Sequence, residues 1–243
     1  MSRYEGTRMF NLVTATWNPL VGCYFRCEYC WARYQAKRQR RRCLLCYHFI
    51  PHAHLDRLKR LPKRKFVFAF DMGDVYWYKQ LYPKQLLAVL NEMALHKDNT
   101  YLLLTKSPSV FHDILESLAP LEENTFLGAT IETNVSFIAQ SVSCAPKPLQ
   151  RYLALKGLKW RNKWLSIEPI LDFTKSFFKW IENVYSSCEK LVVYVGYNQY
   201  PQFNKILEDM EPPPHKALEL IDKIRQLGAV VHVKHVKKQE GEG

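Results

Sequence analysis

The chain alternates between short apolar runs and longer segments whose apolar residues recur at helical spacing. Several of the runs are continuously apolar, which is typical of parallel strands buried on both faces. Predicted strands cover residues 11–16, 66–70, 101–105, 125–131, 163–170, 190–196 and 229–236. Predicted helices cover residues 83–96, which open with a proline, 107–119, which begin with a capping serine, and 212–228, which end at a glycine.

This order of elements predicts an α/β fold built from repeated βαβ units. The 243 residues suit a single full or partial (β/α) barrel, here a single domain over 1–243. Residues 33–65 form a basic insertion, with a helical extension, between the first and second strands. In such a barrel the active site lies at the carboxyl ends of the strands.

Polar residues follow the predicted strands at that end. They include "DMGD" after the second strand, "TKSP" after the third, "ETN" after the fourth, "EP" after the fifth, "GYNQ" after the sixth, and Lys234 and His235 late in the seventh. A cap or turn explains any one of them. Their shared position favours a common pocket.

Composition narrows the class of protein. Hydrophobic residues make up 47% and charged residues 24%, so a large core is expected and global disorder is not. No apolar run approaches the roughly 20 residues that span a bilayer, and the first residues lack a secretory pattern. We expect a cytoplasmic protein without membrane contact, in which seven cysteines indicate metal binding or catalysis rather than disulfides.

The positive charge is concentrated in the basic segment, residues 33–65. It holds twelve lysines or arginines and one acid, Asp56, whereas the whole chain carries a net charge of +12. A solvated surface is one explanation. A polyanion is the partner that such a block favours, and the residues that would bind a nucleic acid are Lys37, Arg38, Arg40, Arg41, Arg42, Arg60, Lys63 and Arg64. An acidic protein would satisfy the same electrostatics.

Three cysteines, Cys23, Cys27 and Cys30, follow the first strand at the spacing Cys-x3-Cys-x2-Cys. A structural zinc site needs four ligands. A four-iron cluster held by three thiolates keeps one iron open to another ligand, and the flanking aromatic residues would shield it from water. A zinc knuckle or accidental clustering is the alternative.

This motif, with Tyr29 before its third cysteine, resembles the radical S-adenosylmethionine superfamily. The context "TWNPLVGC" running into "CEYCWA" is similar to a small phage and prokaryotic branch of it, and "FAFDMGD", "LLLTK", "LGATIET", "WLSIEPIL" and "VYVGYNQ" extend the resemblance over most of the chain.

The resemblance implies a barrel of that type and a [4Fe-4S] cluster on Cys23, Cys27 and Cys30. It implies reductive cleavage of S-adenosyl-L-methionine to a 5′-deoxyadenosyl radical that abstracts hydrogen from the substrate. A ferredoxin or flavodoxin would donate the electron. The implied cofactor-binding residues are Met72, Gly73, Asp74, Thr130, Glu132, Glu168, Gly196 and Asn198, although "DMGD" departs from the usual two glycines and a glutamate.

A second pair, Cys43 and Cys46, is followed by His48, His52 and His54. Two cysteines and two of these histidines suit zinc, and the cysteines suit a second iron–sulfur cluster. Buried thiols beside histidines that face nucleic acid would explain the same residues without a metal.

The leading functional hypothesis is a radical enzyme that modifies RNA or DNA. The alternatives are the same chemistry on a peptide, protein or small metabolite, and a non-catalytic, zinc-stabilised nucleic-acid-binding module.

Overall fold

The structure is a computed structural model that describes residues 10–199 and 205–234, without the side chains of 205 and 206. Nine strands are described: β1 (Ala15–Trp17), β2 (Leu20–Val21), β3 (His52–Ala53), β4 (Phe66–Ala69), β5 (Thr100–Thr105), β6 (Thr125–Thr130), β7 (Asn162–Ile167), β8 (Lys190–Val195) and β9 (Val230–Val233). Seven form one sheet in the order β1-β4-β5-β6-β7-β8-β9, and β2 and β3 form a separate antiparallel pair.

The strand order of the large sheet follows the chain order, and its neighbours run parallel, as for Ala15 opposite Val67 and Asn162 opposite Lys190. This arrangement confirms the predicted α/β class and its partial (β/α) barrel type. The basic segment lies between β1 and β4, which are neighbours in the sheet, as predicted.

The α-helices are α1 (Trp31–Ala36), α2 (Leu44–His48), α3 (Val75–Leu81), α4 (Pro83–Leu95), α5 (Ser109–Asp113), α6 (Leu115–Leu118), α7 (Ser136–Val142), α8 (Pro148–Gly157), α9 (Ser176–Tyr185) and α10 (Pro214–Gln226). Short 3-10 helices add residues 37–39, 55–60, 119–124 and 205–210. No described helix is long and apolar enough to cross a membrane.

Several predicted boundaries differ from the structure. The first strand begins at Ala15 rather than residue 11, because a turn closed by the Val13 N–H on the Phe10 carbonyl comes before it. The helix predicted at 107–119 is two helices, since Ile114 leaves the helical region between them. Residues 235 and 236 of the last predicted strand lie outside the described residues.

The chain divides into two compact units. Unit one comprises Met1–Tyr24, Trp31–Thr105 and Val110–Leu127, and unit two comprises Phe25–Cys30, Lys106–Ser109 and Gly128–Gly243. The single domain expected from the sequence remains a prediction.

Both units bury apolar side chains. In unit one, Val89 of α4 and Leu102 of β5 are fully buried. In unit two, Phe177, Ile181 and Val184 lie on one face of α9 at helical spacing and pack in the same cluster as Leu165 of β7. Burial of these side chains therefore fixes the positions of the strand ends and of the polar residues that follow them.

Candidate functional site

In unit one, the residue before Cys23 lies directly against the turn of residues 71–74. The Gly22 N–H donates to the Met72 carbonyl at 2.9 Å, and Gly22 pairs with Gly73 in an isolated parallel bridge. The Tyr78 hydroxyl donates to the Gly22 carbonyl at 3.1 Å. The structure thus brings the first cysteine loop to the turn for which the sequence predicts cofactor binding.

Neighbouring atoms lie so close to Gly22 and Gly73 that both positions require glycine. Gly22 has a φ of +99°, and a Cβ there would lie 2.3 Å from the backbone carbon and oxygen of Ile50. A Cβ on Gly73 would lie 1.5 Å from the Tyr78 hydroxyl oxygen. Neither position accepts a side chain unless its neighbour moves.

The acidic side chains of the turn have partners in unit one. Asp74 Oδ1 accepts from the Tyr76 N–H at 3.0 Å, which caps α3, and from the Thr105 hydroxyl at 2.6 Å. Asp74 therefore has an observed structural role as the cap of α3, and its role in binding a cofactor remains a prediction. Burial raises the pKa of Asp71 to about 6, partly offset by a hydrogen bond that Asn18 donates.

Asn18 is a site residue that the sequence reasoning missed. Its side-chain NH₂ donates to Asp71, and its Oδ1 accepts from the Met72 N–H at 3.0 Å. Both ends of one amide therefore hold the turn. The sequence signal for Asn18 was the motif "WNP", which is part of the resemblance but had no role assigned to its asparagine.

Cys27 and Cys30 belong to unit two and are described there. Cys27 is buried, and its Sγ lies 3.2 Å from the Ser143 Oγ. The Cys30 N–H donates to the Cys27 carbonyl at 3.2 Å, and the Glu28 N–H donates to the Val142 carbonyl at 2.9 Å. This part of the cysteine loop is thus held by backbone bonds. All seven cysteines of the chain are described, and none forms a disulfide.

Glu132 lies at the centre of a buried ion network in unit two, the glutamate network of Tyr29, Lys106, Glu132 and Arg151. Its Oε1 accepts from the Tyr29 hydroxyl and the Lys106 ammonium, and its Oε2 accepts from Arg151 at 2.7 Å. Burial alone would raise the pKa of Glu132, but Arg151 and Lys106 outweigh it and hold that pKa at about 2.

The network bears on two predicted cofactor-binding residues. Arg151 also donates to the Thr130 carbonyl, at 3.2 Å, so one guanidinium joins Thr130 to Glu132. Arg151 has no signal in the sequence, because it lies in α8, which was not predicted. Burial raises the pKa of Tyr29 well above its usual value, and the Glu132 charge adds to the effect.

The other predicted cofactor-binding residues lie after β7 and β8 in unit two. Glu168 pairs with Lys234 at 3.2 Å, and burial raises the pKa of Glu168. The Gly196 carbonyl accepts from the Ile170 N–H at 2.7 Å, and the Asn198 N–H donates to Glu211 at 2.7 Å. The roles of Glu168, Gly196 and Asn198 toward a cofactor remain predictions.

The basic segment presents its charge to solvent in unit one. All eight of its predicted nucleic-acid-binding side chains are exposed or partly exposed: Lys37, Arg38, Arg40, Arg41, Arg42, Arg60, Lys63 and Arg64. Arg60 pairs with Asp56 at 3.3 Å, and Lys37 lies over the Tyr47 ring at 4.6 Å. Exposure is what phosphate contact requires, and it equally suits a solvated surface.

The second cysteine pair gathers two of the three histidines. Cys43, Cys46, His52 and His54 each point one ligand atom into the same small volume, and these atoms all lie within 4.8 Å of one another. His48 is exposed and lies outside this group, with its ring against Tyr47. We call the four residues the Cys/His cluster.

Solved structures share the fold at low sequence identity. Two single-residue mutants of spore photoproduct lyase align with TM-scores of 0.59 and 0.60 at 13% identity. The alignments cover 90% and 89% of this chain and 76% and 75% of theirs. A radical SAM methyltransferase from Sphaerobacter thermophilus aligns at a TM-score of 0.47 and 12% identity, over 90% of this chain and 65% of its own. At this identity, the two spore photoproduct lyase alignments show a shared fold and no more.

No curated protein matches the sequence. A protein family does, over residues 9–177, which is more than half of the chain. The chain therefore belongs to the family described as "Protein of unknown function (DUF5131)".

Proposed function

We propose that the chain is a radical S-adenosylmethionine enzyme that holds a [4Fe-4S] cluster through Cys23, Cys27 and Cys30. One observation carries the proposal: a Cys-x3-Cys-x2-Cys loop follows the first strand of a parallel α/β sheet, in a fold shared with spore photoproduct lyase. The motif supplies three thiolates, and a four-iron cluster then keeps one iron open for a small molecule.

The donor set fits such a group. None of the three cysteines is consumed by a disulfide, and aromatic side chains flank them in the sequence. When bound, the cluster would supply the electron that cleaves S-adenosyl-L-methionine to methionine and a 5′-deoxyadenosyl radical. A ferredoxin or flavodoxin is the class of protein that would reduce it.

The chain's own residues would bind and orient the cofactor. Met72, Gly73 and Asp74 would face the methionine part, because the Gly22 backbone that leads into Cys23 pairs with this turn. Gly196 would allow close approach by the adenine, since it has no side chain. Glu168 and Asn198 would contact the nucleoside or the substrate.

We propose a nucleic acid as the substrate. The eight solvent-facing cations of the basic segment carry the argument, because the charges outside that segment nearly cancel. Each phosphate contact made by a lysine or arginine releases condensed counterions and so favours binding.

Anaerobic reconstitution tests the radical chemistry. Wild-type protein given iron, sulfide, a reductant and S-adenosyl-L-methionine is expected to bind about four irons per chain and to release 5′-deoxyadenosine. Cys23→Ala, Cys27→Ala and Cys30→Ala should each lose both properties. Cys144→Ala is the matched control, since Cys144 is exposed and outside the motif. Wild-type protein that binds iron no better than Cys27→Ala, or releases no 5′-deoxyadenosine, would refute the proposal.

Salt dependence tests the substrate class. Binding of tRNA and of duplex DNA is measured across salt for wild type, Arg40→Gln/Arg41→Gln and the control Lys156→Gln/Lys159→Gln, which alters two exposed lysines of unit two. The arginine variant should weaken binding and reduce the slope of log K against log salt by up to about 1.8 on duplex DNA. A flat salt response, or equal slopes for both variants, would contradict the phosphate contact.

A further inference from the structure

The Cys/His cluster has the distances of a single-ion site. Cys46 Sγ lies 3.3 Å from His52 Nε2 and 3.1 Å from His54 Nε2, and Cys43 Sγ lies 3.5 Å from His52 Nε2. The two Nε2 atoms are 2.8 Å apart. Zinc bonds of about 2.3 Å to sulfur and about 2.05 Å to nitrogen place tetrahedral sulfur–nitrogen neighbours about 3.6 Å apart and nitrogen neighbours about 3.3 Å apart. The four ligand atoms therefore already surround a point that one ion could occupy.

Hydrogen bonding between the four side chains accounts for only part of this arrangement. His52 Nδ1 lies 2.7 Å from the Ile50 carbonyl, which can only accept, so Nδ1 carries the proton. In the neutral ring, Nε2 of His52 then has a single lone pair, and it faces Cys43, Cys46 and His54 together. One cation satisfies all four groups, and a histidine that ligates a metal commonly donates its other N–H to a backbone carbonyl in this way.

Local backbone structure builds the cluster. Cys43 is the N-cap of α2, and its sulfur accepts from the Cys46 N–H at 3.4 Å. Phe49 ends the helix in the left-handed conformation, with a φ of 56°, and reverses the chain. His52 lies in β3 and His54 directly follows that strand, and their imidazole rings are in contact, with centroids 4.5 Å apart.

Ligand chemistry selects zinc. Two thiolates and two imidazoles in tetrahedral geometry suit zinc or an iron–sulfur centre. In an iron–sulfur centre with two cysteines and two histidines, the sulfur and nitrogen ligands bind different irons. Here each cysteine sulfur lies 3.1–3.5 Å from a histidine nitrogen, which places them on the same ion. Four protein ligands also close the site, as in structural rather than catalytic zinc centres.

The cluster is joined by backbone bonds to the loop that leads into Cys23. Within unit one, the Cys23 N–H donates to the Phe49 carbonyl at 3.1 Å, and the His54 N–H donates to the Pro19 carbonyl at 2.7 Å. Leu20 and Val21 pair with Ala53 and His52. We propose that Cys43, Cys46, His52 and His54 bind one structural Zn²⁺ that folds the basic segment and holds the chain entering Cys23. The zinc site does not depend on the proposed radical chemistry.

Metal analysis of the full-length chain tests the site. Protein purified in air and without added iron should carry one zinc ion per chain. Cys46→Ala and His54→Ala should lose most of it, roughly nine-tenths or more, because each removes one of four ligands. His48→Ala is the matched control, because this histidine belongs to the same segment but lies outside the cluster, and it should keep its zinc. Equal zinc in His48→Ala and His54→Ala would overturn the proposal, as would iron instead of zinc.

Cobalt binding and a variant without the Cys-x3-Cys-x2-Cys motif complete the test. Because Cys46→Ala alone is uninformative if it does not fold, Co²⁺ is added to wild-type protein stripped of metal by a chelator. One equivalent should produce the strong visible bands of a tetrahedral site together with thiolate charge transfer, in wild type and His48→Ala but not in His54→Ala. A weak, octahedral spectrum would refute the four-ligand set. Cys23→Ala/Cys27→Ala/Cys30→Ala should retain its zinc, so failure of the radical proposal is told apart from failure of this one.

Discussion

Replacing Glu132 by glutamine removes the negative charge from the glutamate network, and we expect a large loss of stability. Glu132 and Arg151 are each about 1% exposed, and Lys106 is 12% exposed. The variant would leave two cations close together with no anion between them. Removing one partner of a buried ion pair typically costs about 3–5 kcal/mol.

The pKa of Glu132 provides a second magnitude. That pKa is lowered from 4.5 to about 2, because Arg151 and Lys106 outweigh the opposing effect of burial. At about 1.36 kcal/mol per unit, the charged form is stabilised by about 3 kcal/mol. The two magnitudes agree. For a chain of this size, a loss of about 3 kcal/mol corresponds to a fall in melting temperature of about 6–12 °C.

The same network predicts how stability depends on pH. Since the folded pKa lies below the unfolded one, the stabilisation is fully present above about pH 5. It is lost as the pH falls from 4.5 towards 2, where the unfolded chain binds the proton first. Glu132→Gln should remove this part of the acid dependence.

Urea unfolding followed by circular dichroism at about pH 7 and about pH 4 measures both effects. Glu189→Gln is the control, because Glu189 pairs with Arg161 at an exposed site where an ion pair contributes less than about 1 kcal/mol. Glu132→Gln/Arg151→Met should recover part of the loss, since a buried pair replaced as a whole is often neutral. A single variant as stable as Glu189→Gln, or one with the wild-type acid dependence, would refute the reasoning.

Three further predictions rest on separate features. Gly73→Ala should destabilise the fold by about 1–3 kcal/mol in urea unfolding, because its Cβ would overlap the Tyr78 hydroxyl. The control Gly157→Ala should not destabilise the fold, because a Cβ there would have nothing within 4 Å, and adding Tyr78→Phe to Gly73→Ala should restore part of the lost stability. Burial lowers the pKa of Lys163 to about 8, so Lys163 binds more protons in the unfolded chain between pH 8 and 10.5. In urea unfolding, the stability of wild type relative to Lys163→Met should therefore rise with pH across that range. Arg40→Gln/Arg41→Gln should leave the melting temperature within about 1 °C of wild type, because both side chains are exposed, and a larger shift would mean that they contribute to the fold.

The strands of the large sheet were predictable because burial on both faces demands continuous apolar runs. The fourth predicted strand, residues 125–131, differs from β6 by one residue. The pair β2 and β3 was not predictable, since two residues per strand leave no periodic pattern. This pairing decides which histidines join the cysteines. The sequence could therefore indicate Cys43 and Cys46 but not choose His52 and His54 over His48.

The candidate site was predictable to a similar degree. The cysteine spacing and the acidic turn were visible as motifs. The residues that hold them were not, because Asn18 reaches the turn across more than 50 positions and Arg151 reaches Glu132 from an unpredicted helix. Such partners are set by tertiary packing, which local patterns do not encode.

The short pair of β2 and β3 has a consequence for the order in which the chain can fold. Leu20 finds its partner Ala53 about 30 residues later, whereas β1 must wait for β4, where Ala15 meets Val67. Chain closure over the shorter distance costs slightly less entropy, and contacts between near residues form faster. During synthesis, the segment that ends at His54 can therefore fold against Pro19 before the neighbour of β1 exists, and the large sheet would then assemble beside a loop already in place.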